Sequence, residues 1–280
     1  MDRLLLVDGS NLLFQMFFGM PARIVNAEGK AIQGTLGFVG ALLKIIRKTG
    51  PTHIAVLFDG EHENSRVRID ADYKGNRPDY SQIPEEENPF SQLPDVYRAL
   101  DFLQIKHAET KDCETYDWIA GYALRYGKET EIVISSFDSD FFQLITDKVR
   151  VLRYRGEKTI LCGPGYIEEK FRVLPGQYAD FKSLVGDAAD HIRGAEQVGP
   201  TTAAKLLEQY GTLENILTHA ESIEKPSVRD SILKNAERLR KNYQMIKLGG
   251  EIPLPFAMGD LAYHLPEITT TEVLRGIGLK

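Results

Sequence analysis

Three short apolar runs, each closing on an acid, set the tightest limit on what this chain can fold into. Residues 3–7, 53–58 and 131–135 are Leu-rich or β-branched stretches of strand length. The first runs into Asp8 and the second into Asp59; the third reaches Asp138 and Asp140 after Ser135, Ser136 and Phe137. Between the first two lies a stretch, 35–48, whose apolar residues recur every three or four positions, and 116–126 repeats the pattern before the third. Strand, helix, strand, helix, strand predicts a parallel sheet, whose ligands bind outside the carboxyl ends of the strands. Acids at three such ends are predicted to converge on one crevice. A single Asp there is equally a turn former or a helix N-cap, a reading that explains each acid alone better than all three together.

The rest of the composition narrows the chemistry. A chain of 280 residues, 42% hydrophobic and 26% charged, suits one large globular domain or two smaller ones. Its formal net charge of −6 argues against a general polyanion coat, but is compatible with carboxylates gathered at one metal site and basic residues elsewhere. No apolar run approaches the roughly 20 residues of a membrane span, and Asp8 interrupts the apolar start, so a soluble, cytoplasmic protein with no membrane partner is expected. Cys113 and Cys162 form no CxxC pair and the six histidines show no ligand spacing, which leaves oxygen-bound metal as the favoured kind. His191 reads as an exposed turn residue and Trp118 as core. Gly34, Gly37 and Gly40 follow no phosphate-loop pattern and are expected to pack their helix closely on the sheet.

Residues 60–92 break the strand–helix pattern with a long polar segment, read as a functional lid or a disordered loop. Residues 149–162 predict a β-hairpin turning at Arg155, Gly156 and Glu157. After Pro175 no strand is predicted; the pattern is helical, with a basic amphipathic helix at 229–247, until a proline-containing tail from Ile252. The expected organisation is a mostly parallel α/β core over 1–175, with a lid or arch at about 60–92, and a helical region over 176–280.

Two further acidic pairs, Glu114 with Asp117 and Asp187 with Asp190, are spaced i, i+3, which places both carboxylates on one helical face. So many anions in one place call for cations, and hard oxygen ligands suit Mg²⁺ or Mn²⁺. Two such ions about 4 Å apart can activate water and stabilise the leaving oxygen of a phosphodiester. Glu114 and Asp117 are also explained as first-turn acids favoured by a helix dipole.

Read together, LLLVDGSNLL (4–13), THIAVLFDG (52–60), YKGNRP (73–78), ETYD (114–117), SSFDSDFFQLI (135–145) and VGDAADHIRGAEQVGPTTAAKLL (185–207) resemble the bacterial and phage 5′-to-3′ exonuclease and flap endonuclease family, which includes the nuclease domain of repair-type DNA polymerases. The likeness runs from residue 4 to about 217. It implies an α/β nuclease core with a helical arch, followed by a helix-three-turn-helix region that grips duplex DNA. It also implies two divalent ions, Mg²⁺ or Mn²⁺, one held by Asp8, Asp59 and Glu114 and the other by Asp138, Asp140, Asp187 and Asp190, with Asp117 supporting the first through water. Lys74, with Arg77 and Arg66, would contact the scissile phosphate from the arch; the charge pattern alone reads these residues as a solvated face. Arg193, Gly194, Val198, Gly199, Thr201, Thr202 and Lys205 would form the duplex-binding turn, with the glycines admitting phosphate, a threonine capping the next helix, and K⁺ on backbone carbonyls.

Two departures stand out. Tyr116 replaces an acid that the family places between the ions, and a neutral phenol supplies no charge at neutral pH. Gln15 stands where the family commonly has an Arg, removing a phosphate clamp; Phe14 and Phe17 take places usually held by Tyr. The resemblance therefore implies a metal-dependent 5′ exonuclease or structure-specific flap endonuclease, a monomer acting on DNA with 5′ ends, flaps or branches. The alternatives are a structure-specific DNA-binding protein with weakened or lost catalysis and a ribonuclease of the related small carboxylate-site domains.

Overall fold

Alternation along one strand decides the layering. In β1 (Arg3–Asp8), Leu4 and Leu6 belong to one hydrophobic cluster and Leu5 and Val7 to another, and all four are fully buried. A strand apolar on both faces needs cover on both. The computed structural model describes residues 2–20, 22–60, 65–75, 78, 80–249 and 251–279. Its main sheet adds β2 (His53–Phe58), β3 (Lys106–Glu109), β4 (Glu131–Ser135), β5 (Val149–Arg153) and β6 (Ile160–Cys162) in the order β3-β2-β1-β4-β5-β6. Every pair is parallel except β5 with β6. The chain builds outward from β1 through β2 to β3, then crosses back to place β4 on the other side of β1. That reversal makes the carboxyl end of β1 the switch point where such sheets bind ligands.

Helices α1 (Gly9–Gly19), α2 (Gln33–Thr49) and, past the short α3 (Ser65–Ile69), α4 (Leu93–Phe102) contribute to the Leu5 cluster. On the Leu4 side lie α5 (Thr115–Tyr126), α6 (Pro164–Phe171), α7 (Tyr178–Val185), α8 (Pro200–Tyr210), α9 (Leu213–Thr218) and α10 (Pro226–Ile246). The last helix, α11 (Thr270–Gly276), returns to the first layer, burying Val273 and Leu274 with α2 and α4. Local chemistry sets several ends. Asp8 caps α1 by accepting from the Asn11 N–H at 3.0 Å, and Gly50, at φ 55°, closes α2 in the left-handed conformation.

The three acid-ended strands, the helices at 35–48 and 116–126, and the hairpin turn at Arg155–Glu157 stand close to where the sequence puts them. Several elements differ. Helix α1 follows β1 without a break, and β3 is a polar four-residue edge strand, KHAE, that carries little apolar signal. Strands do not stop at Pro175: β7 (Gly186–Asp187) pairs with β8 (Ile192–Arg193) in a two-residue antiparallel ribbon. The proline-containing tail includes α11. Gly37 packs α2 on α1 rather than on the sheet, because an added Cβ there would meet the Cβ of Met16 at 2.9 Å; Gly34 faces Phe17 and Gln92, and Gly40 faces Thr270. The described part of 60–92 carries α3, the turn through Gly75 and three 3₁₀ turns ending at Gln92.

Candidate active site

Parallel register brings the strand-end acids together. Asp8 pairs in register with Leu57, so Asp59 lies two residues beyond on the neighbouring strand, and Val7 pairs with Ser135 on the other side. Asp8, Asp59, Glu114 and Asp138 line one cleft of about 660 Å³, with Phe14, Tyr73, Lys74, Tyr80, Phe90 and Tyr116 among the other walls. Ser136 ties two of these acids: its Oγ donates to Asp8 Oδ2 at 2.9 Å and accepts from the Asp138 N–H at 3.0 Å. Asp59 Oδ1 accepts from the Thr115 N–H at 2.8 Å, joining the end of β2 to the start of α5. Burial, with the negative charges of Asp59 and Asp138 nearby, pushes the Asp8 carboxyl up to about 7, against the pull of its hydrogen bonds from Asn11 and Ser136.

Glu114 sits in a different setting. Its Oε1 accepts from Lys74 Nζ, and its Oε2 accepts from Tyr116 OH and from Arg66 Nη1, the latter at 3.1 Å. Tyr116 OH also bonds Tyr73 OH at 2.6 Å. The Lys74 ammonium stands 4.9 Å from the ring centres of both tyrosines, and the Arg66 guanidinium 4.5 Å from that of Tyr116. Burial opposes the Glu114 charge, but Lys74, by charge and hydrogen bond, with Tyr116 and Arg66, holds its carboxyl below the usual range. Burial, with Tyr73 and Glu114 beside it, pushes the Tyr116 phenol far up, so it remains a neutral donor.

Arg66 does not reach out toward a docked strand. It is buried, donates from Nε to the Met245 carbonyl at 2.8 Å, and grips Asp117 with bonds of 2.8 and 3.0 Å. Asp117 Oδ2 also accepts from the Glu114 N–H at 3.1 Å, completing a capping box at the start of α5. The first-turn reading therefore describes Asp117, whose oxygens are committed to Arg66 and the cap. Arg77 lies outside the described residues.

The second acidic group converges. One oxygen each from Asp140, Asp187 and Asp190 lie within 4.8 Å of one another, a set that can hold a metal ion. Asp138 is not one of these three: it lines the cleft with Asp8 and Asp59, and its Oδ1 caps the turn that carries Asp140, accepting from the Asp140 N–H at 2.9 Å. The sequence reading missed Lys182, on α7, whose buried ammonium bridges Asp140 and Asp187. Its signal is a Lys inside the apolar run ADFKSLV, five residues before Asp187. Burial raises the Asp140 carboxyl against the pull of Lys182, while Asp140 and Asp187 together hold the buried Lys182 ammonium charged. Ser136 and Tyr73 were missed as well, since neither residue type marks a site by spacing.

The turn after this group is held from behind by α10: Asn242 Nδ2 donates to the Arg193 carbonyl at 2.8 Å and Arg238 Nη2 to the Gly194 carbonyl at 2.8 Å. Gly194 is required by protein packing, because a Cβ would lie 2.3 Å from the Val185 carbonyl carbon. Gly199 has open space around it and is itself the N-cap of α8; Thr201 and Thr202 lie inside the first turn and cap nothing. Val198 is buried in the core, whereas Arg193, Thr201 and Lys205 are exposed. Gln15 donates to the Tyr154 carbonyl at 2.6 Å, fastening α1 to the hairpin. Phe14 meets Tyr80 and Phe90 edge-on at 5.2 Å each, Phe17 is buried, and His191 is exposed with Nδ1 3.1 Å from the Asp72 carbonyl.

Two family models cover most of the chain: the 5′-3′ exonuclease N-terminal resolvase-like domain over residues 3–172 and the 5′-3′ exonuclease C-terminal SAM fold over 173–269. Among curated relatives, a thermostable DNA polymerase I of Thermus thermophilus is 32% identical over 90% of this chain and 29% of its own length. The DNA polymerase I of Rhizobium leguminosarum is 34% identical over 90% of this chain and 25% of its own. The chain thus spans less than a third of these relatives. Among solved structures, the zinc-bound 5′-exonuclease of T5 superposes with a TM-score of 0.72 at 23% identity, covering 87% of this chain and 89% of that one. The catalytic core of Rad2 with DNA substrate superposes with a TM-score of 0.63 at 15% identity, covering 99% and 86%.

Proposed function

Because the chain belongs to the 5′-3′ exonuclease family, we propose that it is a divalent-metal-dependent 5′ nuclease hydrolysing DNA phosphodiesters at 5′ ends, flaps or branches. The observation that carries the reading is the convergence of Asp140, Asp187 and Asp190 beside a cleft lined by Asp8, Asp59 and Asp138. The donor set fits a hard cation: carboxylate oxygens, with the Lys182 ammonium bridging two of them. Asp140, Asp187 and Asp190, with Asp138 adjoining, would hold Mg²⁺ or Mn²⁺. Bound there, the ion would supply an activated water and charge compensation for the phosphodiester.

The remaining roles fall to the protein. Ser136 and the Asn11 N–H hold the Asp8 carboxylate facing the cleft. The aromatic cluster of Phe14, Tyr80 and Phe90 at the cleft wall offers faces on which an unpaired base can stack. Arg193, Lys205 and the N-terminal amides of α8 would bind the duplex backbone by charge and shape, consistent with an α/β part at 1–175 and duplex binding within 176–280, apart from α11, which packs on the α/β layer. Work on DNA fits a cytoplasmic protein. The test is cleavage of a labelled 5′-flap duplex: product with Mg²⁺ or Mn²⁺, none with chelator, and loss of at least about 100-fold in Asp187→Asn. Wild-type protein inert with both metals would sink the proposal.

One observation favours a second reading, a DNA-binding protein with weakened catalysis: both oxygens of Glu114 are already engaged by Lys74, Tyr116 and Arg66. Tyr116→Asp separates the two. A large gain in cleavage at unchanged DNA affinity supports the weakened enzyme; little change supports a site that already works.

A further inference from the structure

The acid-lined cleft does not end at Asp59. A second hollow of about 470 Å³ lies at the β3 edge, walled by Phe90, Leu93, Pro94 and Tyr97, with Glu109 and Lys111 supplying its polar side. Asp59 and Phe90 line both hollows, so the two adjoin. The volume falls in the range of small-ligand sites, roughly 300–1,000 Å³, which suits a single nucleoside and is too small for a duplex.

Its walls are set before any ligand arrives. The Tyr97 ring stacks on His107 with centres 4.9 Å apart and meets Phe58 edge-on at 5.0 Å, and its hydroxyl donates to Glu109 Oε2 at 2.7 Å. Phe90 meets Phe14 and Tyr80 edge-on at 5.2 and 5.5 Å, which makes this wall a continuation of the aromatic cluster in the cleft. Gly60 permits the close approach of the ends of β2 and β3: its N–H donates to Thr110 Oγ1 at 3.0 Å, and a Cβ there would collide with the Thr110 carbonyl. Lys111, the next residue along, is exposed.

Strand order gives the pocket its place along a substrate. The order β3-β2-β1-β4 sets the pocket, Asp59, Asp8 and Asp138 in a row along the carboxyl edge of the sheet, and three strand spacings make that row about 14 Å long. Asp140, whose turn Asp138 caps, ties the far end of the row to Asp187 and Asp190, and so to the turn that would grip duplex. A strand that leaves such a duplex and crosses the acids reaches the pocket only once it is unpaired. We propose that the pocket takes the base of an unpaired nucleotide on the 5′ side of the cleavage position, stacked on Phe90 and Tyr97, with Lys111 meeting its phosphate. Every base has a face to stack, so the pocket selects for an unpaired strand rather than for a sequence. The inference rests on the nuclease reading and adds to it where the unpaired end goes.

Removing bases one at a time from the substrate tests it. Fluorescence anisotropy of the full chain on a 5′-flap duplex, in chelator so that nothing is cut, is measured with an abasic site at each of the first few unpaired positions in turn. One position is expected to matter, its abasic form binding about 5-fold or more weakly than the intact flap. Leu93→Trp, which fills the pocket with a larger ring, is expected to abolish that difference between abasic and intact flaps; Pro94→Trp, at an exposed site, does the same where circular dichroism shows Leu93→Trp to be unfolded. Indifference to abasic sites at every unpaired position overturns the proposal, and so does a penalty that persists undiminished in the folded pocket-filled variant, which would leave stacking to the cleft cluster alone. Either result alongside metal-dependent cleavage of the intact flap sinks this inference and spares the nuclease reading, whereas wild-type protein that neither binds nor cuts the flap duplex sinks both.

Discussion

Arg66 faces Asp117 through two hydrogen bonds of 2.8 and 3.0 Å, a bidentate clasp that joins α3 to the first turn of α5. The Arg66 side chain is 8% exposed and that of Asp117 16%, so water screens the pair little. Arg66→Met is expected to destabilise the fold by about 3–5 kcal/mol, since it strands Asp117 and removes a donor from Glu114. Urea denaturation checks the value. The double variant Arg66→Met with Asp117→Leu should recover part of the loss, because no unpaired charge then remains at that point.

Asp8 makes metal-free stability depend on pH. Its folded-state pKa is raised to about 7 from 3.8, so between those values the native chain holds a proton that the unfolded chain has released. Stability from this group is complete below its unfolded pKa and is lost as pH rises through about 7. In chelator, raising pH from about 5 to about 8 should cost roughly 2–3 kcal/mol in wild type beyond the change in Asp8→Asn. Thermal melts of the two proteins across that window give the difference, and a parallel slope would refute it.

Glycines 194 and 199 should respond very unequally to the same substitution. Gly194→Ala drives a Cβ to within 2.4 Å of the Leu184 carbonyl oxygen, so the turn must move; DNA affinity should fall at least about 10-fold and the melting temperature with it. Gly199→Ala meets nothing within 4 Å at an ordinary φ of −85°. It should cost only a few tenths of a kcal/mol or up to about 1 through the weaker cap. Melting curves and fluorescence anisotropy on one duplex compare both.

Duplex binding through the exposed Arg193 and Lys205 should be strongly salt-dependent and indifferent to sequence. Replacing either by Ala should weaken binding to all duplexes alike and lower the slope of log K against log salt by about 1. Binding isotherms between about 50 and 200 mM salt on two unrelated sequences are sufficient; a sequence-selective loss would contradict the assignment.

Strand-end acids are legible because a parallel sheet converts sequence position into spatial position: once β1, β2 and β4 are adjacent, Asp8, Asp59 and Asp138 have nowhere else to go. The partners of those acids are not legible in that way. Lys182 and Arg66 are long side chains whose charge alone reads as surface, and only tertiary contact, of Lys182 with Asp140 and Asp187 and of Arg66 with α5 and α10, shows them buried. β3 escapes because a four-residue polar edge strand buries little, and α1 because Asp8 serves as strand end and helix cap at once. Thr201 and Thr202 illustrate the opposite error: two good capping residues stand in the chain, yet Gly199 holds the cap position because Pro200 starts the helix.

The return of α11 to the layer beneath α2 has a mechanical consequence. With Val273 and Leu274 seated there, the helical half is moored to the sheet on two sides, once where the hairpin leads into α6 and again at its far end. Were duplex held at α8 as proposed, a load on it would pass into the sheet through both moorings rather than through one end of the helical half alone.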